Sequence, residues 1–96
     1  MTGSIGKTVT VGNRRGLHAR ASAKFVNLAE EFDAQVKVTG PGTGTQPETV
    51  SGTSIMGLMM LAAGTGQDIH IEASGNQAEE ALNALVSLVE NKFEED

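Results

Sequence analysis

Apolar and polar positions along the chain repeat with two different periods. Over residues 5–11, Val9 and Val11 alternate with Thr8 and Thr10, the mark of a half-buried strand. Residues 12–16, with Asn13 and two glycines, break that pattern and read as a loop. Over residues 19–32 the period changes. Phe25, Val26, Ala29 and Phe32 recur at three- and four-residue steps, with Lys24, Asn27, Glu30 and Glu31 between them. This spacing predicts an amphipathic helix. Alternation returns around Val36 and Val38, giving a strand over 35–39, and the Gly- and Pro-rich stretch 40–48 reads as a loop. Residues 49–51 form a short strand paired across it.

Ser54 is placed to cap a short helix running to about Leu61, and residues 62–67, with two glycines, form a turn. Ile69, Ile71 and Ala73 share one face of a strand over 68–73. Asn76 with Glu79 resembles a capping pair for a final helix, whose Ala78, Leu82, Leu85 and Val89 follow at steps of four, three and four. Glu94, Glu95 and Asp96 read as a solvated end. The order is βαββαβα. Each strand has one apolar face and each helix one apolar stripe, so helices stacked on one face of the sheet bury both. The expected architecture is α+β: an open-faced β-sandwich, a four-stranded antiparallel sheet with three helices on one face.

Ninety-six residues suffice for one domain, spanning 1–96, and are too few for two. With three Phe and neither Trp nor Tyr, the core must be aliphatic. A net charge of −5 and the lack of a basic run disfavour nucleic acid and anionic membrane surfaces as partners. The absence of cysteine removes thiolate catalysis, disulfides and zinc–thiolate sites together. No signal peptide is visible, and the near-apolar run 55–63 is far shorter than a membrane span, so membrane insertion is not expected. The expected location is cytoplasmic.

Chemistry concentrates where the first loop meets the first helix. Gly16, Leu17, His18, Ala19 and Arg20 lie there in succession. The first N–H groups of a helix lack intrahelical partners and carry partial positive charge, which suits an anion. A histidine at that junction can hold a phosphoryl group on a ring nitrogen while Arg20 adds a charge-assisted hydrogen bond. Gly16 leaves room for a partner's phosphorylated group to approach. The plainer alternative is that His18 is only a capping or surface residue, and Arg14 and Arg15 only solvated loop charges.

The stretch Gly16-Leu17-His18-Ala19-Arg20-Ala21-Ser22-Ala23 resembles the active-site signature of the HPr family, the histidine-containing phosphocarriers of the bacterial phosphotransferase system. Ser54-Ile55-Met56-Gly57-Leu58 is similar to the family's regulatory serine and the helix after it. The resemblance runs from about Lys7 to Val89. It implies that His18 becomes a phosphohistidine through Nδ1 and that Arg20 stabilises the phosphate. It also implies that enzyme I, charged by phosphoenolpyruvate, supplies the phosphoryl group and that an enzyme IIA receives it. No cofactor or metal is implied, and an isolated phosphoryl site requires only a monomer.

The same resemblance marks Ser54 as a substrate for an HPr kinase/phosphorylase, although capping the helix gives it a structural role without phosphorylation. Ile55, Met56 and Met59 form a soft apolar group that, with Leu17, Ala19, Arg20, Lys24 and Asn27, composes the expected partner surface. Three departures stand out. Ala21 replaces the usual Pro, Thr53 stands where many kinase-regulated members carry a basic residue, and the 40–48 loop is several residues longer. His70 reads as a structural strand histidine. Alternative functions are a phosphocarrier of the nitrogen-related branch and a non-catalytic binding regulator; a stand-alone hydrolase lacks a nucleophile or second acid.

Overall fold

The computed structural model describes residues 3–95. Four strands form one antiparallel sheet: β1 (Ile5–Thr10), β2 (Gln35–Gly40), β3 (Glu48–Ser51) and β4 (Asp68–Ser74). Their spatial order is β1-β4-β2-β3. Three helices, α1 (Ala19–Ala29), α2 (Ile55–Met60) and α3 (Ala78–Glu90), interleave with them in the expected order βαββαβα.

Register explains the layering. Val9 lies opposite Ile69, Val38 opposite Ile71, and Val36 opposite Ala73, so these apolar side chains share the helix-covered face. The alternate positions, including Thr8, Lys37, Thr39 and His70, fall on the open face. From the helices, Phe25, Leu58, Leu85 and Val89 complete the aliphatic core, all fully buried. His70 is half-buried on the open face and its Nδ1 lies 2.9 Å from Thr8 Oγ1, a structural contact as the alternation indicates.

Three local expectations change. The first helix stops at Ala29 rather than Phe32, because the N–H groups of Glu31 and Phe32 bond back only three residues, to Leu28 and Ala29, tightening the last turn. Asn76 does not cap α3. Gln77 occupies that position without a side-chain bond to the helix, while Asn76 Nδ2 donates to Asp33 Oδ2 at 2.9 Å and Gln77 Oε1 accepts from the Asp33 N–H at 2.7 Å. Both amides tie the α3 entry to the α1–β2 loop, and Glu79 and Glu80 supply the favourable first-turn charge.

The third change concerns the end of the described chain: Glu94 is exposed as expected, but Glu95 is turned inward, its side chain only 14% exposed. After α3, Lys92, Phe93 and Glu94 adopt positive φ angles of 57°, 55° and 62°, a left-handed turn that buries Phe93 completely. Asp96 lies outside the described residues.

Candidate active site at the start of α1

His18 is itself the residue that caps α1. Its backbone is extended, with φ −79° and ψ −178°, and its Nδ1 accepts the Arg20 backbone N–H at 3.3 Å. The Ser22 N–H reaches the His18 carbonyl at 2.9 Å, closing the first helical turn. Ala21 fills the position where the resembling signature has Pro, and the helix starts there without it; Ala21 is fully buried.

The loop before the histidine is held by the turn after α2. Gly16 has φ +68°, and a Cβ on it would lie 2.5 Å from the Ala63 carbonyl oxygen. The Leu17 N–H donates to that same oxygen at 3.0 Å. Glycine is therefore required here by left-handed backbone and close approach to residues 63–64. Gly16 is buried, so its role is not to clear space for a partner. Leu17, expected on the partner surface, is a core residue only 5% exposed. Buried next to the histidine and bonded to Ala63, Leu17 anchors the loop in the core.

Opposite the helix start stands Glu95. Its Oε1 lies 2.9 Å from His18 Nε2 and accepts from Asn13 Nδ2 at 2.9 Å, and its Oε2 lies 3.7 Å from Arg20 Nε. The Asn13 amide donates at the same time to the Gly16 carbonyl at 2.8 Å. Asn13 is fully buried, so it was more than a loop former, and its Oδ1 has no hydrogen-bond partner among the described residues. The Asn13 hydrogen bond, then the His18 hydrogen bond, hold the Glu95 carboxyl below its ordinary pKa against partial desolvation, with the Arg20 charge assisting. Glu95 is thus a carboxylate at neutral pH.

The His18 and Glu95 side chains are 20% and 14% exposed, whereas Arg20 is 65% exposed and able to turn toward an incoming group. Arg14, Arg15, Arg20 and Glu95 line a shallow cavity of about 220 Å³ beside the ring. The local surface is therefore cationic although the chain is acidic overall.

The remaining expected residues divide. Ala19 and Asn27 are exposed on α1. Lys24 is half-buried and its ammonium donates to the Phe93 carbonyl at 2.8 Å, which makes it a clamp on the left-handed turn. On α2, Leu58 faces the core and Met56 is 71% exposed, with Ile55, Met59 and Met60 also on the surface. The helix α2 packs against α1. Ser54 Oγ accepts the Gly57 N–H at 2.9 Å and caps α2 as expected. Among the described residues no group of three or more His, Cys, Asp or Glu side chains is arranged to hold a metal ion. No helix among them is long and apolar enough to cross a membrane.

The model for the PTS HPr component phosphorylation site matches residues 5–91, nearly the whole chain. The chain belongs to the HPr family of phosphocarriers. It is similar to the phosphocarrier protein HPr of Pseudomonas aeruginosa, 51% identical over 88 residues covering 91% of this chain and 92% of that one. It is also similar to the phosphocarrier protein NPr of Escherichia coli K12, 38% identical across 97% and 99% of the two chains. Among solved structures, the phosphocarrier protein HPr of Bacillus anthracis superposes with a TM-score of 0.78 at 43% identity, covering 90% of this chain and 96% of that one. The sheet order and helix placement described above are those of HPr structures. Three residues in this HPr-family site, Asn13, Phe93 and Glu95, escape a motif-based reading. The one sequence signal for them is Phe93, which stands four residues beyond Val89 and extends the apolar series Leu82, Leu85, Val89.

Proposed function

We propose that the protein accepts a phosphoryl group on Nδ1 of His18 and hands it to a second protein. The observation that carries this reading is the ring's placement. Nδ1 faces the backbone N–H of Arg20 at the start of α1, where helix-start amides and the exposed Arg20 guanidinium can take the oxygens of an attached phosphoryl group. A phosphorus–nitrogen bond to imidazole is labile, so the group stays transferable. Positioning and electrostatics suffice, and the carrier turns over through its partners' catalysis rather than its own.

Membership of the HPr family supports enzyme I as donor and an enzyme IIA as acceptor. The exposed Ile55, Met56 and Met59 on α2 and the cationic surface of Arg20 and Arg15 together fit a partner face with both apolar and acidic parts. Ser54 belongs to the same reading as a regulatory position. A phosphate there would add negative charge next to the apolar patch and oppose docking of an acidic face.

Incubation with enzyme I and phosphoenolpyruvate tests the proposal. The parent protein gains one acid-labile phosphoryl group by intact mass, and His18→Ala gains none. Equal labelling of His18→Ala would end the carrier reading and leave a binding regulator in its place. A nitrogen-related relay is the second reading, supported by likeness to the Shewanella violacea and Escherichia coli NPr proteins at 39% and 38% identity. Comparing charging rates by sugar-branch and nitrogen-branch enzymes I separates the two.

A further inference from the structure

We propose that Glu95 is a positioning residue for phosphoryl transfer: it holds His18 as the Nε2–H tautomer and so presents the Nδ1 lone pair as the nucleophile. The inference rests on the reading of His18 as the phosphoryl acceptor. It begins from the two hydrogen bonds of the ring. A neutral imidazole carries one N–H and one acceptor nitrogen. The Arg20 backbone N–H, 3.3 Å from Nδ1, can only donate, so Nδ1 must accept. The Glu95 carboxylate, 2.9 and 3.2 Å from Nε2, can only accept, so Nε2 must carry the proton. Only one tautomer satisfies both contacts. Without Glu95, Nε2 loses its acceptor and the constraint is left to one long backbone bond.

The carboxylate also acts on charge. As the Nδ1 lone pair leaves the Arg20 N–H and forms the bond to phosphorus, the donor's bond to phosphorus breaks and its electron pair leaves with the donor. The ring becomes cationic while Nε2 keeps its proton, and the carboxylate beside Nε2 stabilises that cation. In the outward step the Nδ1–P electron pair returns to the ring and the same proton stays in place. Glu95 therefore serves both directions. It touches neither phosphorus nor donor, which distinguishes positioning from catalysis.

Independent features show that the chain is built to deliver this carboxylate. Three successive non-glycine residues, Lys92 to Glu94, adopt left-handed backbone, a conformation that side chains disfavour. Phe93 anchors the turn in the core, and Lys24 grips its carbonyl. Asn13, fully buried, commits its amide to Glu95 and Gly16 while its own Oδ1 has no partner among the described residues. Strain and an orphaned polar atom are tolerated together at the place where the carboxylate meets the histidine. A merely solvated glutamate requires none of this.

The test uses the intact protein and its Glu95→Ala and Glu95→Gln variants. Imidazole nitrogen-15 shifts are recorded above the titration of the ring, and the rate of phosphorylation is measured with phosphoramidate, a small donor that does not dock as a protein does. The parent should show a pyridine-like Nδ1 and a pyrrole-like Nε2. In Glu95→Ala the two shifts should converge as tautomers mix, and the rate should fall below that of the parent. Glu95→Gln keeps an acceptor oxygen without the charge, so its tautomer should hold while its rate falls by a smaller factor. Parent-like nitrogen shifts in Glu95→Ala overturn the proposal, whatever the rate does. Labelling of His18→Ala by the same donor overturns instead the assignment of His18 as acceptor, so the two failures are distinguishable.

Discussion

Gly16→Ala isolates the contact that places the histidine loop. The substitution forces an alanine into backbone with φ +68°, which costs about 1–2 kcal/mol for a residue with a Cβ. The new Cβ would also lie 2.5 Å from the Ala63 oxygen and 2.8 Å from Gly64 Cα. Both are backbone atoms, so no side chain can swing away, and overpacking of this kind costs about 1–3 kcal/mol more. Together the loss is about 2–5 kcal/mol, a large part of the 5–15 kcal/mol that holds a domain folded. Urea unfolding measures it directly. Gly12→Ala is the internal control, because a Cβ there meets only Lys92 side-chain atoms at 3.8 Å, an ordinary contact. That variant should stay within about 0.5 kcal/mol of the parent. The displaced loop carries the Leu17–Ala63 and Asn13–Gly16 hydrogen bonds, so phosphoryl acceptance by Gly16→Ala should fall even below its unfolding midpoint. If Gly16→Ala and Gly12→Ala unfold at the same urea concentration, the packing argument is wrong.

Other expectations address the cap, the carboxylate and the surface. Ser54→Ala removes the acceptor for the Gly57 N–H and should lower stability by about 0.5–2 kcal/mol in urea, without reducing His18 phosphorylation by a small donor. The folded Glu95 carboxyl lies below its ordinary value, so its contribution is complete above that value and fades as pH falls through the folded one. The stability difference between parent and Glu95→Gln should therefore be flat near neutrality and shrink progressively below about pH 4.5, as followed by thermal unfolding across pH. Met56→Glu, on the most exposed of the α2 side chains, should slow transfer from phosphorylated enzyme I while leaving stability within about 0.5 kcal/mol of the parent.

Periodicity made most of the fold readable. The alternation at Val9, Val36, Val38, Ile69 and Ile71 and the helical steps through Leu82 and Leu85 correspond to burial in the structure, because one-sided burial imposes those periods. The placement of His18 and Arg20 at a helix start was readable from local sequence, since a helix start needs only neighbouring residues. Glu95 was not. It reaches the histidine across 77 positions through a left-handed turn, and neither helix nor strand period describes such a turn. Leu17 and Gly16 were misplaced for a related reason: a motif names residues together, but only packing against Ala63 and Gly64 separates those that face inward from those that face a partner. Lys24 changed meaning the same way, since nothing near it in sequence shows that its ammonium holds the Phe93 carbonyl.

The central claim is that phosphorus attaches to one nitrogen of one histidine. Phosphorylated protein labelled with nitrogen-15 in its histidines answers this through phosphorus–nitrogen coupling. Coupling should appear to Nδ1 of His18, with the amide shifts of Ala19 to Ser22 moving and those of α3 nearly still. Coupling to Nε2, or to His70, would contradict the account, because the Nε2 side of His18 is closed by Glu95 and His70 lies on the open face of the sheet.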